Sequence, residues 1–203
     1  MPRRRDGWRR WALLAVAVVI LAGFVASYLI GAVTQTSPGY ELIPKGVPTF
    51  EVWSPSFPPN GTAPSNFTCG GADLSPPIEW SGQPNGTLYY AIIMVDLNSS
   101  PPGFVHWLIY NVPGNATGLP AGIPRYGLVL LGPSQWAEQG VNGYGEVGYA
   151  GPCPPNGEVH EYELIVYALG GQLNVQPGAN EREVLESMEG LVKGVAVMRF
   201  YAG

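Results

Sequence analysis

The chain has 203 residues, of which 46% are apolar and 12% are charged, and it contains 28 glycines and 21 prolines. Short strands joined by tight turns suit this composition better than a helical bundle, and the length suits one domain with an appendage. From residue 34 onward, five basic and fourteen acidic residues give a net charge of −9, which excludes a nucleic-acid partner because no basic surface could neutralise phosphates.

The appendage is N-terminal. Residues 1–10 carry five arginines, and residues 11–33 are 23 residues without a charge. A helix of that length spans about 35 Å, enough to cross a hydrocarbon core of about 30 Å. We therefore predict a basic cytoplasmic tail over 1–10, a transmembrane signal anchor over 11–33, a tether over 34–48, and an extracellular domain over 49–203 of a single-pass cell-membrane protein. A cleaved signal peptide is the alternative, although its apolar region is normally shorter.

Five segments of the outer domain predict strands: 50–53, 78–80, 89–95, 104–112 and 161–169. The segment 89–95 is a continuous apolar run, which is typical of a strand buried on both faces. Segments rich in glycine and proline separate these strands and predict turns between them.

One helix is predicted after Asn180, which forms a capping-box pattern with Glu183. Its apolar residues recur at helical spacing along one face and are Val184, Leu185, Met188, Leu191 and Val192. Gly194 is predicted to end the helix, and residues 196–203 are predicted to form a last strand.

Two features are consistent with export. Cys69 and Cys153 form an even pair, which in an oxidising compartment is a natural disulfide; two buried thiols are the alternative. Five acceptor sequons for N-glycosylation are also present, although Asn, Ser and Thr are common in turns. The candidate glycosylation sites are Asn60, Asn66, Asn85, Asn98 and Asn115.

Three polar residues lie where predicted strands meet loops. Asp96 directly follows the buried strand, and His106 and His160, the only two histidines of the chain, lie near the starts of two others. Each alone has a structural explanation, either as a turn former or as a solvated histidine. Together they predict one pocket at one end of the sheet.

Three segments around these residues resemble the signatures of the phosphatidylethanolamine-binding protein (PEBP) family, most closely its prokaryotic Raf-kinase-inhibitor-like branch. They are FTCGGADLSPPIEW, the segment from Asp96 to His106-Trp107, and GYAGPCPPNGEVHEY. The resemblance covers about residues 50–202. It implies a mainly β fold, a Greek-key β-sandwich with one or two peripheral helices, that binds a small anion or a phospholipid head group in a pocket at one rim.

Carried over by position, the resemblance implies Asp96 as the pocket aspartate and His106 and His160 as its two histidines. The remaining ligand-binding candidates are Phe104 as an aromatic pocket residue, Gly151, Pro152, Cys153 and Pro155 as the loop wall, and Tyr162 as a hydroxyl donor. Imidazoles and loop N–H groups are suitable donors to a phosphate oxygen, and glycine allows close backbone approach. The segment Asp96-Leu97-Asn98-Ser99-Ser100 departs from the family's Asp-Pro-Asp-x-Pro element, because both prolines and the second aspartate are missing.

Three functions follow as hypotheses. The first is a binding module for a small anion or a phospholipid head group, without a cofactor, a metal or catalytic residues. The second is an inhibitor or regulator of a secreted serine protease, with exposed loops near 133–143 making the contact. The third is a hydrolase, in which Asp96, His106 and His160 bind a metal or act as acid and base. No His-x-x-x-His spacing and no Gly-x-Ser-x-Gly motif supports the third.

Overall fold

A computed structural model describes residues 42–203. The predicted cytoplasmic tail, the signal anchor and the tether as far as residue 41 lie outside these residues. Within the described part, no helix is long and apolar enough to cross a membrane. Leu42–Gly203 forms one compact unit.

Residues 42–203 are mainly β, as predicted, with one α-helix. The elements in chain order are β1 (Glu51–Trp53), a 3-10 helix (Ser65–Phe67), β2 (Ile78–Ser81), β3 (Tyr89–Asp96), β4 (Phe104–Pro113), β5 (Gly118–Leu119), β6 (Leu128–Gly132), β7 (Gln135–Gln139), β8 (His160–Leu169), α1 (Glu181–Met188) and β9 (Val192–Ala202).

The strands form two antiparallel sheets. A six-stranded sheet has the order β6-β7-β4-β3-β8-β9, and a three-stranded sheet has the order β1-β2-β5. The central strand β3 is buried from Tyr90 to Asp96, because β4 and β8 flank it and both faces of the sheet are covered. This explains why its sequence is continuously apolar rather than alternating.

Two apolar clusters cover the two faces of the large sheet. The first lies between the sheets, where Ile78 and Trp80 of β2 pack with Met94 and Trp107 of the large sheet. The second lies on the opposite face, where Ile93 packs with residues of α1 and of the chain start at 42–47. Removal of the apolar side chains of both clusters from water stabilises the packing of these layers.

The helix α1 begins as predicted but ends earlier. Asn180 accepts a hydrogen bond from Glu183 N at 3.0 Å, and the Glu183 side chain accepts from Asn180 N at 2.8 Å. The prediction that the helix continues to Gly194 is wrong. Glu189 leaves the helical conformation and Gly190 adopts a φ of 74°, a turn conformation that suits glycine. The last strand therefore begins at Val192.

The segment 133–143 is not the exposed loop that the sequence predicted. Five of its eleven residues form β7, which pairs with β6 and with β4 of the large sheet. Only the hairpin turn, with Ser134 at a φ of 60°, and the residues after Gln139 lie outside a strand.

The two cysteines are joined. Cys69 and Cys153 form a disulfide with a Cα–Cα distance of 5.4 Å, so the alternative of two buried thiols is wrong. The asparagines of all five sequons are exposed in residues 42–203.

Candidate functional site

Strand register brings three chain segments together at one end of the large sheet. Asp96, the last residue of β3, pairs with Phe104 at the start of β4 and with Tyr162 near the start of β8. Because neighbouring strands run antiparallel, the end of β3 lies beside the starts of both neighbours. His106 and His160 therefore lie at the same rim as Asp96.

A pocket of about 290 Å³ opens at this rim. Six of the nine predicted ligand-binding residues line it: Asp96, Phe104, His106, Cys153, Pro155 and His160. Gly151, Pro152 and Tyr162 are buried and are not part of this lining. The lining residues without a predicted role in ligand binding are Asn98, Ser99, Ser100, Tyr144 and Glu158.

His160 lies between two carboxylates. Its Nδ1 is 2.7 Å from Asp96 Oδ2, and its Nε2 is 3.2 Å from Glu158 Oε2. The hydrogen bond to Asp96 raises the pKa of His160 against the opposing effect of burial, and Glu158 adds to the rise. Donation from both nitrogens requires the imidazolium form, which the raised pKa of His160 favours.

The surroundings of His106 shift its pKa in the opposite direction to that of His160. Its Nδ1 donates to the carbonyl of Ala150 at 2.8 Å, which leaves Nε2 for a ligand. Burial lowers the pKa of His106, although the Ala150 carbonyl and the charge of Asp96 act in the other direction. The ring of Phe104 packs edge-on against it with centroids 5.1 Å apart. The lowered pKa favours a neutral His106 imidazole, and the contacts with Ala150 and Phe104 hold the ring in one orientation.

Tyr162 lies between the two imidazoles. Its ring centroid is 5.3 Å from that of His106 and 6.4 Å from that of His160. Its hydroxyl is buried and has no well-aligned hydrogen bond within residues 42–203. Burial raises the pKa of Tyr162, and the nearby negative charge of Asp96 raises it further. The hydroxyl remains protonated and can donate a hydrogen bond.

The predicted loop wall is held by contacts from a distant part of the chain. Gly151 N donates to Asp73 Oδ1 at 2.6 Å, and Cys69 N donates to Pro152 O at 3.1 Å. A Cβ at Gly151 would lie 2.6 Å from that same oxygen and 2.9 Å from Phe67 O, so the close approach requires glycine. The disulfide between Cys69 and Cys153 also attaches this loop wall to the distant segment.

Side-chain hydrogen bonds hold the loop between β3 and β4, which departs from the family's Asp-Pro-Asp-x-Pro element. Asp96 Oδ1 accepts from Asn98 N at 2.8 Å, and Asn98 Oδ1 accepts from Glu161 N at 2.7 Å. Ser99 Oγ accepts from Phe104 N at 3.0 Å. Asn98 thus joins the loop to β8 while its exposed side chain lines the pocket.

The sequence pattern identified the two histidines and the aspartate but missed Glu158 and Tyr144. Glu158 lies two residues before His160, a spacing that suggests a shared side of an extended segment. Tyr144 has no local signal, because it reaches the pocket by packing on Phe104 with ring centroids 4.7 Å apart.

The metal-binding alternative finds no further support in the geometry. Among residues 42–203, no group of three or more His, Cys, Asp or Glu side chains is placed to hold a metal ion. Both nitrogens of His160 lie against carboxylates instead.

The two histidines are expected to titrate on opposite sides of pH 6.5, with His160 above and His106 below. Proton NMR of the untagged chain checks this, because only two histidines are present. His160 contributes stability that is present below the unfolded pKa of about 6.5 and lost as pH rises through its raised folded pKa. His106 contributes stability that is present above about 6.5 and lost as pH falls through its lowered folded pKa.

The variant Asp96→Asn provides the control for this titration. It is expected to move the pKa of His160 down and leave the pKa of His106 below 6.5. Coincident titration of the two imidazoles in the unsubstituted chain would contradict the geometry.

Comparisons with known proteins agree on one family. The family model described as phosphatidylethanolamine-binding protein matches residues 53–201. A UPF0098 protein of Methanothermobacter thermautotrophicus is 41% identical over 141 residues, which are 70% of this chain and 90% of the relative. A UPF0098 protein of Aquifex aeolicus is 36% identical over 155 residues, 75% of this chain and 88% of the relative.

Two solved structures are similar in fold. Escherichia coli YbcL, described as a member of the mammalian PEBP family, matches with a TM-score of 0.68 and 28% identity over 75% of this chain and 97% of its own. The PEBP homologue CT736 of Chlamydia trachomatis matches with a TM-score of 0.67 and 26% identity over 75% of this chain and 96% of its own.

Proposed function

Because the chain belongs to the phosphatidylethanolamine-binding protein family, we propose that it binds a phosphate-bearing small ligand in the rim pocket. A free phosphate compound and a phospholipid head group share this chemistry. The observation that carries the proposal is the convergence of Asp96, His106 and His160 on one pocket of about 290 Å³. We assign the chain a binding function rather than a catalytic one.

The pocket offers donors to a phosphate group. His160 Nε2 can donate to a ligand oxygen that takes the place of the exposed Glu158 carboxylate, and His106 Nε2 can donate once a bound anion favours its protonation. Charge-assisted hydrogen bonds of this kind are about twice as strong as neutral ones. They act locally against the net charge of −9 that opposes anion capture at longer range.

The pocket also contains negative charge, which favours a zwitterion over a simple anion. Asp96 and Glu158 both line it, and neither Lys nor Arg does so within the described chain. An ammonium group next to the phosphate would place its charge beside these carboxylates. Phosphorylethanolamine is therefore expected to bind more tightly than inorganic phosphate.

Calorimetric titration and thermal unfolding test the proposal. The full chain, purified in mild detergent, is titrated with inorganic phosphate, phosphorylethanolamine and a short-chain phosphatidylethanolamine. A ligand at 100 times its Kd stabilises the folded state by about 2.7 kcal/mol. The comparison of phosphorylethanolamine with the phospholipid separates a free compound from a lipid head group. No heat and no stabilisation with any of the three would overturn the proposal.

Replacing Glu158 with glutamine is expected to tighten the binding of inorganic phosphate by about tenfold. Its carboxylate accepts from His160 Nε2 at 3.2 Å although its side chain is 59% exposed. It thus occupies a position that a ligand oxygen would take, and one charge-assisted hydrogen bond is worth about 1.5–3 kcal/mol. Phosphorylethanolamine is expected to gain less, because it also loses a carboxylate partner for its ammonium. Calorimetric titration measures both affinities.

The matched control is Glu161→Gln, which removes the same charge three residues away and outside the pocket lining. It is expected to change phosphate affinity by less than about twofold, since Glu161 is half-buried outside the pocket lining and its carboxylate lies 3.8 Å from the guanidinium of Arg199. Equal gains in the two variants would show that only net charge matters.

We further propose that residues 11–33 anchor the protein in the cell membrane with the binding domain outside. The uncharged sequence of that segment supports this, as do the disulfide, which persists in oxidising compartments, and the exposed sequon asparagines. Cell fractionation and protease treatment of intact cells test it. Recovery of the chain in the soluble cytoplasmic fraction, or full protection from protease, would contradict it.

A further inference from the structure

The two edge strands of the six-stranded sheet differ in their protection. The outer side of β9 is covered by hydrogen bonds from Phe50 N to Val195 O at 3.1 Å and from Ala63 N to Tyr201 O at 2.8 Å. The other edge strand, β6, pairs only with β7 within residues 42–203. Unpaired backbone groups on an edge can bind another chain, and proteins usually block them with charged residues or proline.

β6 has neither kind of protection. Its sequence, LVLLG, contains no charge and no proline. Val129 is buried in the core between the sheets, while Leu128 and Leu130 point to the other face and are 49% and 55% exposed. Trp136, which pairs with Leu130 across the hairpin, is 50% exposed. An open apolar edge of this kind indicates an interaction surface.

A groove of about 320 Å³ borders the strand, and its lining includes Glu138, one of whose carboxylate oxygens has no hydrogen-bond partner in the described chain. Glu138 pairs with Leu128 across the β6–β7 hairpin, and both line the groove with Leu88 and Trp136. Glu138 Oε1 accepts from Asn111 Nδ2 at 3.4 Å, whereas Oε2 is buried without a hydrogen-bond partner in the described chain. Burial raises the pKa of Glu138. A buried carboxylate oxygen without a donor is costly, and a cationic side chain would satisfy it.

We propose that β6 binds an extended peptide segment of another protein, which adds a strand to the sheet and places a lysine or arginine side chain against Glu138. A residue opposite Leu128 on the added strand lies about two strand spacings, or about 10 Å, from Glu138 on the same face. The combined lengths of a basic side chain and of the glutamate cover this distance. Backbone pairing supplies affinity, and the alternate side chains supply selectivity.

The negative charges near β6 favour a basic segment of another protein, rather than a second copy of this chain, as the bound strand. β6 contains no basic residue, so pairing between two β6 strands would leave both Glu138 carboxylates unmatched. The net charge of −9 in the outer part of the chain also favours a basic segment. The surface is separate from the rim pocket, since the two share no lining residue.

Fluorescence anisotropy with a labelled seven-residue peptide tests the inference on the full chain in mild detergent. Threonine occupies every odd position of the peptide, and leucine, lysine and leucine occupy the three even positions in that order. The apolar and basic residues therefore share one face of the extended peptide. Replacing its lysine with norleucine is expected to weaken binding at least tenfold to the unsubstituted chain and less than twofold to Glu138→Gln. N-methylation of the backbone N–H groups that face β6 is expected to abolish binding.

Two variants at the sheet edges give the matched comparison. Leu130→Lys is expected to abolish peptide binding, whereas Val197→Lys on the closed edge strand β9 is expected to leave it unchanged. Thermal unfolding of both variants checks that they are folded. Binding that survives N-methylation, equal affinity for the lysine and norleucine peptides, or no binding at 1 mM peptide would each overturn the inference. A dimer in sedimentation that Leu130→Lys dissociates would overturn it too, because the occupant would be a second copy.

Discussion

Replacing His160 with alanine is expected to abolish phosphate binding and to lower the free energy of unfolding by about 3 kcal/mol, the scale seen when one partner of a buried ion pair is removed. Asp96 is 5% exposed, and without the imidazole at 2.7 Å its charge would remain buried with only the hydrogen bond from Asn98 N. Urea unfolding at pH 6, where the imidazolium is present, measures the loss. Calorimetric titration with phosphorylethanolamine measures binding.

The double variant Asp96→Asn, His160→Gln separates the two effects. It removes both charges together, so most of the stability is expected to return because a neutral pair leaves no buried charge unpaired. Phosphate binding is expected to remain absent, since the cationic donor is gone. Phosphate affinity that is unchanged in His160→Ala would place the ligand elsewhere on the molecule.

Removing the disulfide with Cys69→Ser and Cys153→Ser is expected to lower the free energy of unfolding by about 4 kcal/mol. The two cysteines are 84 residues apart, and a cross-link that closes a loop of that length restricts the unfolded chain strongly. Because small domains are stable by only about 5–15 kcal/mol, this loss is a large fraction of the total. Guanidinium unfolding measures it.

The disulfide is also expected to affect ligand binding, because Cys153 lines the pocket. Phosphate affinity is expected to fall in the double serine variant, since the loop wall becomes less ordered and binding must restore that order. The unsubstituted chain treated with a reducing agent provides the control and is expected to match the variant in unfolding midpoint. Coincident midpoints for the variant and the oxidised chain would contradict a stabilising role for the bridge.

Elements with strong local signals were predicted well. The run YYAIIMV predicted a strand buried on both faces, and β3 has this burial. The capping pattern of Asn180 and Glu183 predicted the start of α1. Its end was predicted wrongly because Leu191 and Val192 continue the helical periodicity, while Gly190 and strand pairing of Val192 with Leu169 on β8 stop it. Tertiary pairing here outweighs local periodicity.

The hairpin β6–β7 was not predicted, and the reason is physical. Leu128 and Leu130 are exposed apolar residues, so β6 does not alternate between apolar and polar as a half-buried strand would. The segment 133–143 was predicted to contain exposed loops that contact a protease. Pairing with β4 and β6 decides its conformation.

The sequence by itself determined the family, the mainly β class and the residue types of the pocket, because these depend on motifs and periodicities within short segments. It also identified the two histidines and the aspartate as a set. Only the tertiary structure decided that the Glu158 carboxylate lies against His160, that His106 and His160 have pKa values shifted in opposite directions, and that one edge strand is left unpaired within residues 42–203. These properties depend on distances between groups far apart in the chain, and electrostatic and hydrogen-bond energies change steeply with such distances and with burial.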